Sequence, residues 1–211
     1  MNTIHSDPAA DLASIRDALD FELPSMDDMQ DAVRMKFLYE SALAYADPRL
    51  GSVLEIGCFK GCSTVFLAMA CRDKGFEEIT TIDLFTGTPS WGQTFDTLEE
   101  ATRRFEDYGL GSFIRTVRTD SQAFSWQGPL AMLHVDGDHS YEAVKKDFAR
   151  YLPHLAPGGI IVADDYDSGH EGVIQAVHEL LASNPDLTIV GINNHRQYYG
   201  SICLRRNSSV W

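Results

Sequence analysis

The chain has 211 residues, 44% hydrophobic and 23% charged, a balance that suits one soluble domain with a sizeable core. Lys plus Arg number 17 and Asp plus Glu 31, so the formal net charge is −14, which argues against nucleic acid or an anionic membrane as partner. No apolar run reaches the length of a membrane span and residues 1–20 lack a long apolar core, so no signal peptide is expected, the cytoplasm is the expected compartment, and Cys58, Cys62, Cys71 and Cys203 are expected as reduced, buried packing residues.

Asp7 and Pro8 can cap and open a helix that runs to about residue 20. Ser25-Met26-Asp27-Asp28 then fits a capping pattern, with Asp in the place of Glu. Met29, Val33 and Phe37 follow at helical spacing towards residue 46, and Asp47-Pro48 ends the run. Both helices precede the first strand and so lie outside any alternating core. They can pack on the sheet, form a lid over a ligand, or pair with another subunit in a homo-oligomer.

From Gly51 the chain alternates strand and helix, the mark of a doubly wound, mostly parallel sheet. Residues 52–56 are short and apolar and form the first strand; its helix runs to about residue 74. Between them stands Gly57-x-x-x-Gly61, with glycine where the backbone must bend or approach a ligand closely. The helix start offers unpaired N–H groups and the positive end of its dipole to an anionic group, and Ser63 can add a hydroxyl. The spacing is not the G-x-G-x-x-G of nicotinamide dehydrogenases, because Cys58 and Phe59 fill the wrong slots. The second strand, residues 79–83, ends in Asp83, an acid placed to take both hydroxyls of a ribose.

Glu55-Ile56-Gly57-Cys58-Phe59-Lys60-Gly61 followed by Asp83 resembles the cofactor site of class I S-adenosylmethionine-dependent methyltransferases. The resemblance covers roughly residues 50–205 and implies a Rossmann-like, seven-stranded sheet with an antiparallel edge strand. It implies S-adenosyl-L-methionine as cofactor, held by Glu55, Gly57, Gly61, Ser63 and Asp83. Residues 1–49 are then an N-terminal helical segment or lid, and residues 50–211 the methyltransferase domain.

Residues 84–94 form a long connection beyond a strand's C-terminal end, with Trp91 inside it, and read as a substrate loop or an exposed insert. A helix over residues 95–108 and a third strand over 113–118 follow. Thr119-Asp120-Ser121-Gln122 comes next; the resemblance makes Asp120 and Ser121 adenine-binding, while the same segment can cap a helix. Residues 130–135 form the fourth strand, ending in Asp136-Gly137-Asp138-His139, and Tyr141, Val144 and Phe148 mark the next helix. Residues 153–159 read as a turn, 160–163 as the fifth strand ending in Asp164-Asp165, and 172–183 as a helix. Residues 187–192 and 198–204 read as a terminal hairpin that adds the antiparallel strand.

Adjacent strands lie about 5 Å apart. If the fourth and fifth strands are neighbours, Asp136 meets Asp164 and Asp165. Three carboxylates in one crevice repel, so one protonates or a cation neutralises them. An all-oxygen set suits a hard ion such as Mg²⁺. The alternative is helix capping by acids on an acidic surface. Asp136-Gly137-Asp138 and Asp164-Asp165 resemble the metal-dependent O-methyltransferases typified by macrocin O-methyltransferase, which act on sugar hydroxyls. That resemblance implies Mg²⁺ on Asp136, Asp164 and Asp165, with Asp136 also bordering the cofactor, and Asp138 as general base. His139 is the other candidate base, since its ordinary pKa suits neutral pH. The expected reaction is methylation of a small-molecule hydroxyl, on a sugar or another vicinal diol. The rivals are a metal-independent class I methyltransferase acting on another nucleophile and a cofactor-binding subunit without catalysis. Activity that survives excess chelator would favour the first, and the acid cluster argues against the second.

Overall fold

The computed structural model describes residues 32–87, 92, 94–193 and 200–208. The helix expected before residue 20 and Trp91 of the expected substrate loop lie outside the described residues. Helices are α1 (Ala32–Tyr45), α2 (Cys62–Asp73), α3 (Leu98–Asp107), α4 (Tyr141–Tyr151) and α5 (Glu171–Ser183). Strands are β1 (Ser52–Ile56), β2 (Ile79–Asp83), β3 (Ile114–Arg118), β4 (Leu130–Val135), β5 (Leu155–Asp164), β6 (Leu187–Asn193) and β7 (Ser201–Arg206). The sheet has seven strands in the order β3-β2-β1-β4-β5-β7-β6. Strands β1 to β5 pair in parallel, while β7 runs antiparallel to both β5 and β6.

Successive strand side chains point to opposite faces, which splits the core in two. Val53, Met132 and Ile160 face α1, α2 and α3, where Phe66, Met69 and Phe105 pack. Their neighbours Leu54, Leu133 and Ile161 face α4 and α5, against Phe148, Tyr151 and Val177. In α2 every residue from Cys62 to Cys71 is buried, so this helix is apolar around its whole circumference. All four cysteines are free and buried. No helix among the described residues is long and apolar enough to cross a membrane.

Among the described residues, the largest boundary difference from the sequence expectation is at the start of β5. Residues 153–159 read as a turn, yet β5 already begins at Leu155, which pairs with Leu130. A register shift between Leu130 and Met132 absorbs the irregular stretch. Pro157 is exposed there, and an irregularity of this kind is where a strand tolerates proline.

Strand order reverses direction at β1, between β2 and β4, and a doubly wound sheet opens a ligand crevice at such a point. The register Val135↔Ala163 puts Asp136 and Asp164, the next residues along, side by side at the carboxyl ends of β4 and β5.

Candidate active site

The glycine loop is held from beneath. Gly57 has φ +90, and a Cβ there would stand 2.0 Å from the carbonyl oxygen of Asp136. Gly61 has φ +83, and a Cβ would stand 2.5 Å from the Phe105 ring. The close approaches that demand glycine are therefore to the protein itself. Gly57→Ala combines backbone strain with a clash and is expected to destabilise by more than about 1 kcal/mol. A urea midpoint equal to that of the wild type would contradict this.

Asp83 ties the loop down from β2. Its Oδ2 accepts from the N–H groups of Cys58 (2.7 Å) and Phe59 (2.8 Å), and its Oδ1 from the N–H of Phe85 (2.6 Å). Phe59 and Phe85 both have positive φ, so these bonds hold two side-chain-bearing residues in the left-handed region.

Glu55 stands behind the loop rather than in it. It is fully buried, and its carboxyl accepts from Ser63 Oγ (3.2 Å), Thr64 Oγ1 (2.6 Å) and Thr81 Oγ1 (2.7 Å). Nδ1 of His134 lies 3.1 Å from Oε1 of Glu55. Both Glu55 and Ser63 thus act through this buried knot, which joins β1, α2, β2 and β4. Thr64, Thr81 and His134 were not singled out from the sequence, because isolated polar residues inside apolar runs give no periodic signal. Burial opposes a charge on His134, but the Glu55 hydrogen bond and the charges of Glu55, Asp136 and Asp164 outweigh it and raise its pKa.

After β3, Asp120 is exposed and its Oδ1 accepts from the N–H of Gln122 at 2.7 Å. Ser121 Oγ donates to Asp147 Oδ1 of α4 at 2.6 Å, and Tyr151 Oη donates to the Ser121 carbonyl at 2.5 Å. Burial pushes the Asp147 carboxyl up to about 6, against the Ser121 and Gln122 hydrogen bonds.

The acids at the ends of β4 and β5 do meet, and they enclose a group that the sequence reading did not include. Arg34 of α1 is 4% exposed. Its Nη2 lies 2.7 Å from Asp164 Oδ2 and its Nη1 2.9 Å from Asp165 Oδ1. Ser201 Oγ donates to Asp164 Oδ1 at 2.5 Å, and His139 Nε2 lies 2.8 Å from Asp165 Oδ2. Asp165 itself sits at φ +55, a strained conformation for a residue with a side chain. Burial and the Asp164 charge push the Asp136 carboxyl well above the usual carboxylate range. Burial likewise raises Asp164, with Arg34 opposing and Asp165 adding. Burial works against charge on Asp165 too, but His139 and Arg34 outweigh it and hold that carboxyl at about 2.

The two candidate bases differ in setting. Asp138 is exposed, and its Oδ1 accepts from the N–H of Ser140 at 2.7 Å, which holds its pKa below the usual range. His139 is partly buried beside Asp165. Burial opposes its charge, but the Asp165 hydrogen bond and charge raise its pKa. His170 packs edge-on to His139, with ring centroids 4.7 Å apart, and its Nδ1 lies 3.1 Å from Asp167 Oδ1.

Among the described residues, two sets of ligand-type groups lie close enough to share an ion: His134, Asp136 and Asp164, and His139, Asp165 and His170. Neither is the all-oxygen trio expected for Mg²⁺. Every oxygen of Asp164 and Asp165 already has a protein donor, and a guanidinium bridges the two side chains. Unit charges of like sign 4 Å apart repel by about 4 kcal/mol at an effective dielectric of 20, and a divalent ion doubles this. In this arrangement the residues do not fit Mg²⁺ on Asp136, Asp164 and Asp165.

Comparison with known proteins agrees with this architecture. A family model described as a methyltransferase domain matches residues 54–166. An 8-demethyl-8-(2,3-dimethoxy-alpha-L-rhamnosyl)-tetracenomycin-C 4'-O-methyltransferase of Streptomyces olivaceus is 27% identical over 155 residues, 63% of this chain. The chain spans 58% of that relative's length. The O-methyltransferase NovP superposes with a TM-score of 0.70 at 18% identity, over 83% of this chain and 80% of that one. The O-methyltransferase TomG from Streptomyces achromogenes, solved with S-adenosylmethionine, superposes with a TM-score of 0.62 at 21% identity, over 99% of this chain and 93% of that one. The fold, the glycine loop with its tethering acid and the matched span together show that the chain belongs to the methyltransferase domain family, with the class I, S-adenosylmethionine-dependent architecture.

Proposed function

We propose that this protein transfers a methyl group from S-adenosyl-L-methionine to a hydroxyl of a small molecule. One observation carries the reading: the tethered glycine loop and the His139–Asp165 pair belong to the carboxyl edge of the same sheet, with Asp136 joining them. Gly57, Gly61, Asp83, Asp120 and Ser121 would seat the cofactor, with Glu55 and Ser63 supporting the loop. The sulfonium methyl is already activated, so the protein's work is to align the acceptor oxygen and remove its proton. The oxygen bonds to the methyl carbon, the carbon–sulfur bond breaks to leave S-adenosylhomocysteine, and the proton passes to a base. We assign that base to His139 ahead of Asp138, because its pKa is raised where that of Asp138 is depressed. The Streptomyces relative's named substrate supports a sugar, or another vicinal diol, as acceptor. Residues 50–211 would form the catalytic domain, preceded by residues 1–49. The magnesium expected from the resemblance would require Arg34 to withdraw from both acids, so no step is assigned to a metal.

The test supplies methyl-labelled S-adenosylmethionine with three acceptors: a rhamnosyl glycoside, a catechol and a primary amine. Label is expected on a glycoside hydroxyl. Label on the amine alone would replace the reading with an N-methyltransferase. Cofactor binding without transfer to any acceptor would favour a non-catalytic subunit.

A further inference from the structure

We propose that Arg34 is the resident cation of the acid cluster, doing from within the chain what a divalent ion would otherwise do at Asp164 and Asp165. The inference rests on the methyltransferase reading above, and it assigns that reading a metal-independent site.

The geometry is specific to a guanidinium. Its planar fork reaches two neighbouring carboxylates at once, with Nη2 on Asp164 and Nη1 on Asp165, at 2.7 and 2.9 Å. A lysine ammonium is a single point charge and could not span them the same way. Arg34, Asp164 and Asp165 are 4%, 5% and 4% exposed, so this is a buried cluster and not a surface pair. Removing one member of such a cluster leaves uncompensated charge in the interior. The remaining oxygens of both acids are taken by Ser201 and His139, so the cluster is complete without an added ligand. The strained Asp165 backbone is what turns this carboxyl between Arg34 on one side and His139 on the other.

Placement on α1 supports the assignment. Arg34, Phe37, Leu38 and Ser41 are spaced three, four and seven residues apart, so they share one helix face, and all four are buried. The arginine therefore enters the site on the face that docks the helix. Withdrawing it would take the guanidinium out of a buried site and leave Asp164 and Asp165 without their shared partner.

The experiment measures Mn²⁺, as a spin-active stand-in for Mg²⁺, by electron paramagnetic resonance. The samples are the wild-type chain, Arg34→Ala and the double variant Arg34→Ala/Asp164→Asn. S-adenosylhomocysteine affinity is measured on each as a check on folding and, separately, on the methyltransferase reading. The wild type should show only weak Mn²⁺ uptake, and its methyl transfer should be unchanged by excess chelator. Arg34→Ala should bind Mn²⁺ at least tenfold more tightly, and the double variant should lose that gain. Wild type that binds Mn²⁺ as tightly as Arg34→Ala, or that stops turning over in chelator, overturns the proposal. If Arg34→Ala does not fold, the neutral Arg34→Gln takes its place, with the same expected rise in Mn²⁺ affinity; no rise overturns the proposal. A wild-type chain that binds no S-adenosylhomocysteine fails the methyltransferase reading instead, whatever its Mn²⁺ result.

Discussion

His139→Ala is expected to lower kcat by about 10²- to 10⁴-fold, the usual contribution of a positioned general base. S-adenosylhomocysteine should still bind, because the glycine loop and Asp83 do not depend on this side chain. Asp138→Asn should retain most of the turnover. Its carboxyl is exposed and already engaged by the Ser140 N–H, and that bond stabilises the carboxylate and makes it a weaker proton acceptor. His139 is the better acceptor because Asp165 stabilises the imidazolium that forms, at 2.8 Å. The pH profile carries the same sign. With His139 as the proposed base, the neutral imidazole would be the active form, and the raised pKa would place its appearance above the ordinary value of about 6.5. The rising limb of kcat should therefore lie above that value in the wild type and vanish in His139→Ala. If Asp138→Asn is dead and His139→Ala turns over normally, the base is Asp138.

Glu55→Ala should cost about 3–5 kcal/mol of folding stability, the range for breaking a buried charged pair. The substitution leaves Thr64, Thr81 and His134 in the interior without their shared acceptor. Glu55→Gln keeps the shape and one acceptor oxygen, so it should cost less. Because the folded-state pKa of His134 is raised, the charged contribution is complete below the unfolded value of about 6.5 and is lost as pH rises through the folded value. The stability gap between wild type and Glu55→Gln should therefore narrow as pH rises. Urea unfolding at several pH values measures it, and a gap that widens would remove His134 as the charged partner.

These two residues show how far the chain could be read without its fold. Strand-helix alternation from Gly51, the glycine turn and Asp83 were legible, because local spacing and backbone need determine them. The meeting of Asp136 with Asp164 and Asp165 was legible on one condition, that β4 and β5 pair, and they do. Glu55 was legible as a member of the motif but not as a buried strut, since a strand's pattern does not say which polar side chains its neighbours will receive.

Local spacing and turn residues specify the scaffold and the edge of it where the acids gather. Periodicity and turn residues are local, and they specify a doubly wound sheet whose acids collect at its carboxyl ends. The groups that answer those acids emerge only in the folded chain. Arg34 lies 131 residues from Asp165 along the chain, and nothing in the spacing of either marks the other. Its partner was not legible, because electrostatic pairing acts through space and leaves no period in the sequence.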